Sequence, residues 1–206
     1  ISHSERFEDP AMLAGGSLEM IQTWVALPEK DEESMPAFDN YKPDVLPVFT
    51  DTGVWMRLIA GNAFGLQNNV KTHSPLFYIH AELEKGARFG LPAEHIERGV
   101  NVAKGSIEVS GKTYAPGQLL VFNNGVDPVN LSKEKSTIMM LGGDPLGERF
   151  IWWNFVSSRK ERIEQAKADW KEGRIILPPT DNHEFIPLPA DKSKPAGTGP
   201  APPALS

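Results

Sequence analysis

Two residues at the start of the chain, His3 and Glu5, have the side chains and the spacing of a metal-binding pair. Residues i and i+2 of a strand point to the same face, so both side chains can reach one point. An imidazole with a carboxylate is typical of non-haem Fe(II) sites, which keep positions open for oxygen or substrate. Two ligands do not complete such a site. The spacing alone leaves half a metal site and two solvated side chains as alternatives, and favours the second.

A second pair with the same spacing, His95 and Glu97, lies in the middle of the chain. Together with the first pair it could form a site with two His and two Glu ligands, a geometry that the sequence does not exclude. The alternative is that both residues are surface groups at the lip of a β-barrel. We favour this alternative.

The remaining histidines and one group of aromatic residues have simpler interpretations. His80 lies inside a predicted strand and is expected to be a hydrogen-bonded structural residue. We predict a loop position for His73 and a solvated position for His183. The aromatic group could stack on a flat ligand, but we favour a role in the core, where it would anchor the neighbouring helix. The group consists of Trp152, Trp153 and Phe155.

The composition excludes several classes of protein. The 206 residues, 40% of them hydrophobic, suffice for one large β domain, or for one domain and part of another. The absence of cysteine excludes disulfides, thiolate catalysis and Cys-based metal sites. A net charge of −6 disfavours a nucleic-acid backbone as a direct ligand. No apolar stretch approaches the roughly 20 residues that cross a bilayer. We expect a soluble, cytoplasmic protein that contacts neither nucleic acid nor membrane.

The pattern of elements predicts an all-β protein. Leu18–Leu27 contains Trp and β-branched residues and reads as a strand that stops at Pro28. Residues 28–47 are rich in Pro and acidic side chains and form a predicted connector, the best candidate for a domain boundary. Beyond it, short strands end at Gly-containing turns, which is typical of an antiparallel sandwich or barrel. The predicted strands are Val54–Ala60, Leu76–Leu83, Val100–Ala103, Ser106–Val109, Leu119–Phe122 and Ser136–Leu141.

One C-terminal helix is predicted over about residues 158–172. Ser158 and Glu161 have the spacing of a capping box, and Gly173 provides a stop. Ile163 and Trp170 lie on one helical face, which must be buried against another element. Residues 187–206 are rich in Pro, Gly and Ala and are expected to be disordered.

Several segments, in the correct order, resemble the pirin family. They match the end of its metal-binding segment, the strand that follows, two signatures of its C-terminal domain and a helix near its end. The likeness extends over about residues 1–175, and the combination of motifs at compatible spacings makes it specific. The segments are Ile1–Arg6, Leu18–Pro28, Val70–Pro75, Leu141–Glu148 and Phe155–Ala166.

The resemblance implies a bicupin, which has two jelly-roll β-barrels in one chain and Fe(II) in the N-terminal barrel. In this family an upstream motif provides two His ligands, and an H-x-E motif, matched here by His3 and Glu5, provides His and Glu. The chain would start inside the N-terminal cupin, after the upstream motif, so that its metal site is incomplete. Other divalent metals are also compatible with these ligands.

The resemblance also implies a division into domains. Residues 1–42 would be the C-terminal remnant of the metal-binding cupin, and residues 43–150 the C-terminal cupin. Residues 151–186 would form a helix and an extension that pack back on the N-terminal domain, before the disordered tail. The C-terminal cupin is expected to be metal-free, because His95 and Glu97 stand where a working cupin has His-x-His, and no His follows the turn at Pro116-Gly117.

Two functions follow from the resemblance. Pirin-like proteins include quercetin 2,3-dioxygenases, which open the flavonol ring with oxygen and release carbon monoxide. In that case Glu5 would be both a metal ligand and the catalytic base. Other pirins are iron-dependent, redox-responsive partners of transcription factors or metabolic enzymes, in which the metal acts as a switch. We therefore expect a monomer that binds a flavonol-like substrate or a protein partner. The chain by itself is expected to bind Fe(II) weakly or not at all.

Overall fold

The computed structural model describes residues 2–6, 10, 14–15 and 19–189. The chain divides into two compact units. Within the described residues, the double-sheet unit consists of residues 38–145, and the helix-containing unit combines those up to residue 37 with residues 146–189. Leu18 and the predicted disordered tail from residue 190 onward lie outside the described residues.

The double-sheet unit consists of antiparallel strands in two sheets. The strands are β1 (Val48–Asp51), β2 (Val54–Ala63), β3 (Leu66–Gln67), β4 (Leu76–Leu83), β5 (Arg88–Phe89), β6 (Glu97–Lys104), β7 (Ile107–Val109), β8 (Lys112–Tyr114), β9 (Leu119–Phe122), β10 (Asn130–Ser132) and β11 (Ser136–Gly143). The larger sheet has the order β1-β2-β4-β11-β6-β9, with β3 paired to β2, and the smaller sheet has the order β5-β10-β7-β8.

The core of this unit forms because apolar side chains recur at every second residue of its strands. In β4, for example, Phe77, Ile79, Ala81 and Leu83 are buried while the residues between them are partly exposed. Both sheets contribute to the same core, because Ile107 of the smaller sheet is fully buried in the cluster formed with the larger one. The predicted antiparallel β architecture is therefore confirmed.

One glycine permits a close approach between neighbouring strands. Gly61 follows a register shift between β2 and β4 and has a φ of +78°, a backbone conformation that favours glycine. A side chain at Gly61 would overlap the carbonyl group of Leu76. The irregular end of β2 therefore depends on the absence of a side chain at this position.

The strand predicted at Leu18–Leu27 is wrong for the residues that the structure describes. Residues 19–28 have neither helix nor strand, and a short 3-10 turn follows at Glu29–Asp31. A strand requires a hydrogen-bonded neighbour, and no strand pairing of this segment is present among the described residues. Apolar side chains of the segment, including Trp24 and Val25, are accordingly more than half exposed.

The helix-containing unit has a hairpin followed by the C-terminal helix. The hairpin consists of β12 (Phe150–Trp152) and β13 (Phe155–Ser157), and the helix, α1, spans Lys160–Lys171. The helix ends as predicted, because Gly173 has a φ of +70° and donates its N–H to the carbonyl of Trp170. No helix among the described residues has the length and the apolar character to span a membrane.

The predicted capping box of α1 does not form. The residue before the helix is Arg159, and no side chain caps the helix at this position. Ser158 instead donates both its N–H and its hydroxyl to the carboxylate of Glu32. Glu32, far away in the sequence, therefore accepts the Ser158 N–H that the capping box assigns to Glu161, and the Ser158 hydroxyl donates where the capping box would have it accept.

The predicted apolar face of α1 is present, although Trp170 is only partly buried. Ile163 and Ala166 are buried, and the Trp170 ring packs edge-on against Trp153, with 5.8 Å between ring centroids. The expected contact between the aromatic group and the helix is therefore observed. The expected core position is wrong, because the hairpin aromatic residues are half-buried: Trp152, Trp153 and Phe155.

Candidate functional site

The N-terminal segment, residues 2–6, is bound along one side to the C-terminal extension, which we define as residues 176–184. The Ser2 hydroxyl donates to the carbonyl of Ile176. The Arg6 guanidinium makes two hydrogen bonds of 2.6 and 2.7 Å to Asp181, and a third of 2.8 Å to Glu184. Hydrogen bonds from Arg6 hold the pKa of Asp181 below its usual range. Ser2 and Arg6 therefore both contact this extension.

The two candidate metal ligands lie between these anchored positions, and both are exposed. Gln22 donates its side-chain N–H to the Glu5 carboxylate at 2.8 Å, and Trp24 donates to the Gln22 oxygen at 3.2 Å. Glu5 thus contacts Gln22, whereas Ser2 and Arg6 contact the C-terminal extension. In an extended segment, residues 3 and 5 point to the side opposite residues 2, 4 and 6.

The donor chemistry of this pair suits a divalent metal, but the number of donors is too small. An imidazole and a carboxylate are common ligands of Fe(II). Among the described residues, however, no group of three or more His, Cys, Asp or Glu side chains is arranged to hold a metal ion. His3 and Glu5 therefore fit as part of a ligand set, and their role in metal binding stays a prediction.

The interpretation of His95 and Glu97 as two surface groups is wrong for His95. Its side chain is buried, with Nε2 2.8 Å from the carbonyl oxygen of Asn62 and the ring against Phe77. Because a carbonyl group only accepts, Nε2 carries the proton and donates. His95 precedes the strand that begins at Glu97, so the side-chain alternation of a strand does not apply to the pair. One residue is buried and the other exposed, and the two do not share a face.

A third pair with the same spacing, His80 and Glu82, was missed as an H-x-E motif. Both residues lie on β4, with Nε2 of His80 2.9 Å from the Glu82 carboxylate. Thr137 on the neighbouring strand also donates to this carboxylate. The prediction of a hydrogen-bonded structural His80 is confirmed, and here the spacing rule for strands does bring the two side chains together.

The interior of the double-sheet unit contains a buried arginine that the sequence analysis also missed. Arg98 lies on the same side of β6 as the buried Val100 and Val102, and donates to the carbonyl of Val126 at 2.6 Å. The alternation of Arg98 with the buried Val100 and Val102 is the sequence pattern from which its burial could have been predicted. A cavity of about 190 Å³ in this unit contains no His, Cys, Asp or Glu; it is lined by Val109, Ser110, Lys112, Tyr114, Phe122, Val126 and Pro128.

The helix-containing unit is held together by two adjacent glutamates that contact different partners. Glu32 accepts hydrogen bonds from Ser157 and Ser158 and lies 3.3 Å from Nε of Arg149. Glu33 pairs with Arg162 of α1 at 2.6 Å. The Arg162 hydrogen bond lowers the pKa of Glu33. Glu32 thereby links the segment before residue 37 to the hairpin, and Glu33 links it to the helix.

Comparison with known proteins places this architecture in a family. The sequence profile of the pirin C-terminal cupin domain matches residues 78–176. A pirin-like protein of Caulobacter vibrioides is 52% identical over 190 residues, which is 92% of this chain and 66% of that protein. A candidate quercetin 2,3-dioxygenase of Pseudomonas aeruginosa is 35% identical over 155 residues, 74% of this chain and 49% of that protein.

The solved structures confirm the cupin fold. A quercetin 2,3-dioxygenase from Acinetobacter baumannii superposes with a TM-score of 0.72, covering 83% of this chain and 58% of that one at 22% sequence identity. The chain spans between about half and two thirds of the length of these relatives. The family match rests on both the sequence profile and the extended identity to the Caulobacter protein. The chain belongs to the pirin family and carries the C-terminal cupin domain of that family.

Proposed function

We propose that this chain belongs to a metal-dependent pirin-type dioxygenase that opens the ring of a flavonol such as quercetin. His3 and Glu5 would supply two ligands for Fe(II), or for another divalent cation, and the remaining ligands would come from other residues of the whole protein. The observation that carries this proposal is the N-terminal segment, which is anchored at Ser2 and Arg6 and leaves His3 and Glu5 exposed. The names of two relatives in different bacteria support the substrate class.

In this proposal the bound metal supplies the activation of oxygen and substrate. Glu5 accepts the proton of the flavonol hydroxyl, which requires that its carboxylate come within hydrogen-bond reach of that group. Gln22 donates to one carboxylate oxygen, Oε1, and so limits the rotation of the carboxylate. Trp24 in turn donates to the Gln22 side chain and fixes its amide orientation.

The test of the activity uses the full-length protein, loaded with Fe(II) or another divalent metal and mixed with quercetin in air. Loss of the flavonol absorbance together with release of carbon monoxide is expected. Glu5→Gln is expected to reduce turnover by at least about 100-fold, because it removes a base and weakens a ligand. The exposed Glu29→Gln is the matched control and is expected to keep full activity. Unchanged flavonol with every metal tested would refute the proposal and favour a redox-responsive regulatory protein.

The test of the metal site compares this 206-residue chain with the full-length protein by anaerobic calorimetric titration with Fe(II). Two donors hold a metal poorly, so we expect the isolated chain to bind at least about 100-fold more weakly. His3→Ala in the full-length protein is expected to weaken binding to a similar degree. Tight, stoichiometric binding by the isolated chain would contradict the incomplete ligand set.

A further inference from the structure

We propose that the C-terminal extension positions the candidate metal ligands, with Arg6 and Asp181 as the positioning residues. This inference rests on the proposed metal role of His3 and Glu5. The contacts that support it lie entirely within the helix-containing unit. They join residues about 175 positions apart in the sequence, so the placement of the N-terminal segment depends on the opposite end of the described chain.

The anchoring contacts determine which side of the segment faces the extension. The Ser2 hydroxyl donates to the Ile176 carbonyl and the Arg6 guanidinium makes two hydrogen bonds to Asp181, so that two even-numbered residues of the segment contact the extension. In an extended segment, a shift by one residue would turn every side chain to the opposite side. The contacts of Ser2 and Arg6 therefore oppose the slip that would turn His3 and Glu5 toward the extension.

The geometry of the Arg6 pair adds rigidity. A guanidinium that binds both oxygens of one carboxylate is fixed in orientation as well as in distance. The Asp181 side chain is only 15% exposed, and its backbone N–H donates to the carbonyl of Pro178 in a turn. Glu184, the other partner of Arg6, is 72% exposed and makes a single hydrogen bond. Asp181 is thus the main anchor, and Glu184 is peripheral.

The extension is itself tied to α1 by the residues that follow it. Trp170 donates its indole N–H to the carbonyl of Ile186 at 2.9 Å. Its ring packs edge-on against Phe185, with 5.7 Å between ring centroids. A continuous series of contacts therefore leads from the helix through the extension to Arg6. This connection gives a role to Trp170, which is only partly buried although it lies on the apolar face of the helix.

Loss of a positioning residue changes local order and metal affinity, whereas loss of a stabilising residue changes the stability of the whole protein. Exposed ion pairs contribute little to global stability. Arg6 is 49% exposed, so its loss is expected to leave the melting temperature nearly unchanged. The order of residues 2–6 and the metal affinity of the pair should change instead, because both depend on the local conformation of the segment.

The experiment uses full-length protein with Arg6→Gln, Asp181→Asn, or both charges exchanged (Arg6→Asp with Asp181→Arg). Each single variant is expected to speed amide hydrogen exchange of residues 2–6 and to weaken Fe(II) binding, both by about fivefold. The exchanged pair is expected to recover most of both losses. Glu184→Gln is the matched control and should change either quantity by less than about twofold, since its carboxylate is largely exposed.

Two outcomes separate this inference from the proposed function. If the wild-type protein binds Fe(II) and both single variants retain its affinity and its exchange rates, the positioning role is refuted while the metal role stands. If the wild-type protein does not bind Fe(II), or any other divalent metal tested, the metal role of His3 and Glu5 fails, and the positioning inference fails with it.

Discussion

Replacement of Glu32 by alanine is expected to destabilise the helix-containing unit by about 3 kcal/mol. The Glu32 side chain is only 9% exposed and accepts hydrogen bonds from the Ser157 hydroxyl and from the N–H and hydroxyl of Ser158. Nε of Arg149, whose side chain is 12% exposed, lies 3.3 Å away. Alanine would leave the Ser157 and Ser158 donors without their acceptor and the largely buried positive charge of Arg149 without its counter-ion.

The size of the destabilisation depends on the hydrogen bonds that Arg149 keeps when Glu32 is removed. Breaking a buried ion pair by removing one partner costs about 3–5 kcal/mol. Arg149 keeps hydrogen bonds to the carbonyls of Leu27, Leu146 and Glu148, which reduces the loss to the lower end of this range. Glu32→Gln keeps one acceptor oxygen and nearly the same volume, and is expected to cost about half as much.

The assay is urea unfolding followed by tryptophan fluorescence, with hydrogen exchange at the Ser158 amide as a local measure. The matched control is Glu33→Ala, because Glu33 is the next residue, is 58% exposed and pairs with Arg162 at 2.6 Å. An exposed pair of this kind contributes at most about 1 kcal/mol. Equal destabilisation by the two alanine variants, or an unchanged exchange rate at Ser158 in Glu32→Ala, would refute the reasoning.

The stabilisation that Glu32 provides is expected to decrease in acid. Burial acts to raise the pKa of Glu32, but hydrogen bonds from Ser157 and Ser158 and the charge of Arg149 outweigh it, so the pKa lies below its ordinary value of 4.5. A lowered folded-state pKa means that the stabilisation is present above pH 4.5 and is lost as the pH falls through the lower value. The difference between wild type and Glu32→Gln is therefore expected to shrink in acid. A difference that grows on acidification would contradict this assignment.

Two further predictions concern the double-sheet unit. Gly61→Ala is expected to lower the free energy of unfolding by at least about 3 kcal/mol, because the new side chain would overlap the Leu76 carbonyl. Gly65 has a similar φ but open space around it, so Gly65→Ala should lower the free energy of unfolding by about 1 kcal/mol. Equal losses for the two variants in chemical unfolding would contradict this prediction. His95→Leu removes the donor to the Asn62 carbonyl and is expected to cost about 2 kcal/mol while leaving Fe(II) affinity in the full-length protein unchanged. Loss of metal binding in this variant, measured by titration, would assign His95 to the metal site.

The strands of the double-sheet unit could be predicted because their burial alternates along the chain. Leu76–Leu83 and Leu119–Phe122 have the predicted bounds, and each has one buried and one more exposed face. Short strands such as β5 and β10 were missed, since two or three residues are too few to establish a period. The segment after Leu18 has a strand-like composition, but composition does not specify the neighbour that a strand requires.

Whether the two residues of an H-x-E pair share a face depends on the local backbone conformation. The rule that residues i and i+2 share a face holds for His80 on β4, and fails for His95, which precedes a strand and points into the core. The anchoring of residues 2–6 could not be predicted, because its partners lie at the far end of the sequence and are common surface residue types. The role of Glu32 was hidden for the same reason: the sequence around Ser158 fits a local cap equally well.

The discontinuous chain path of the helix-containing unit has a consequence for the order of folding. This unit needs residues before 37 and after 146, while the double-sheet unit is built from the residues between them. During synthesis the double-sheet unit can therefore form first, whereas contacts such as Arg6–Asp181 must wait until almost the whole described chain has been made. The segment with His3 and Glu5 is synthesised before the double-sheet unit but acquires its final conformation after it. On the ribosome, the proposed metal ligands would be positioned only after residue 181 has emerged.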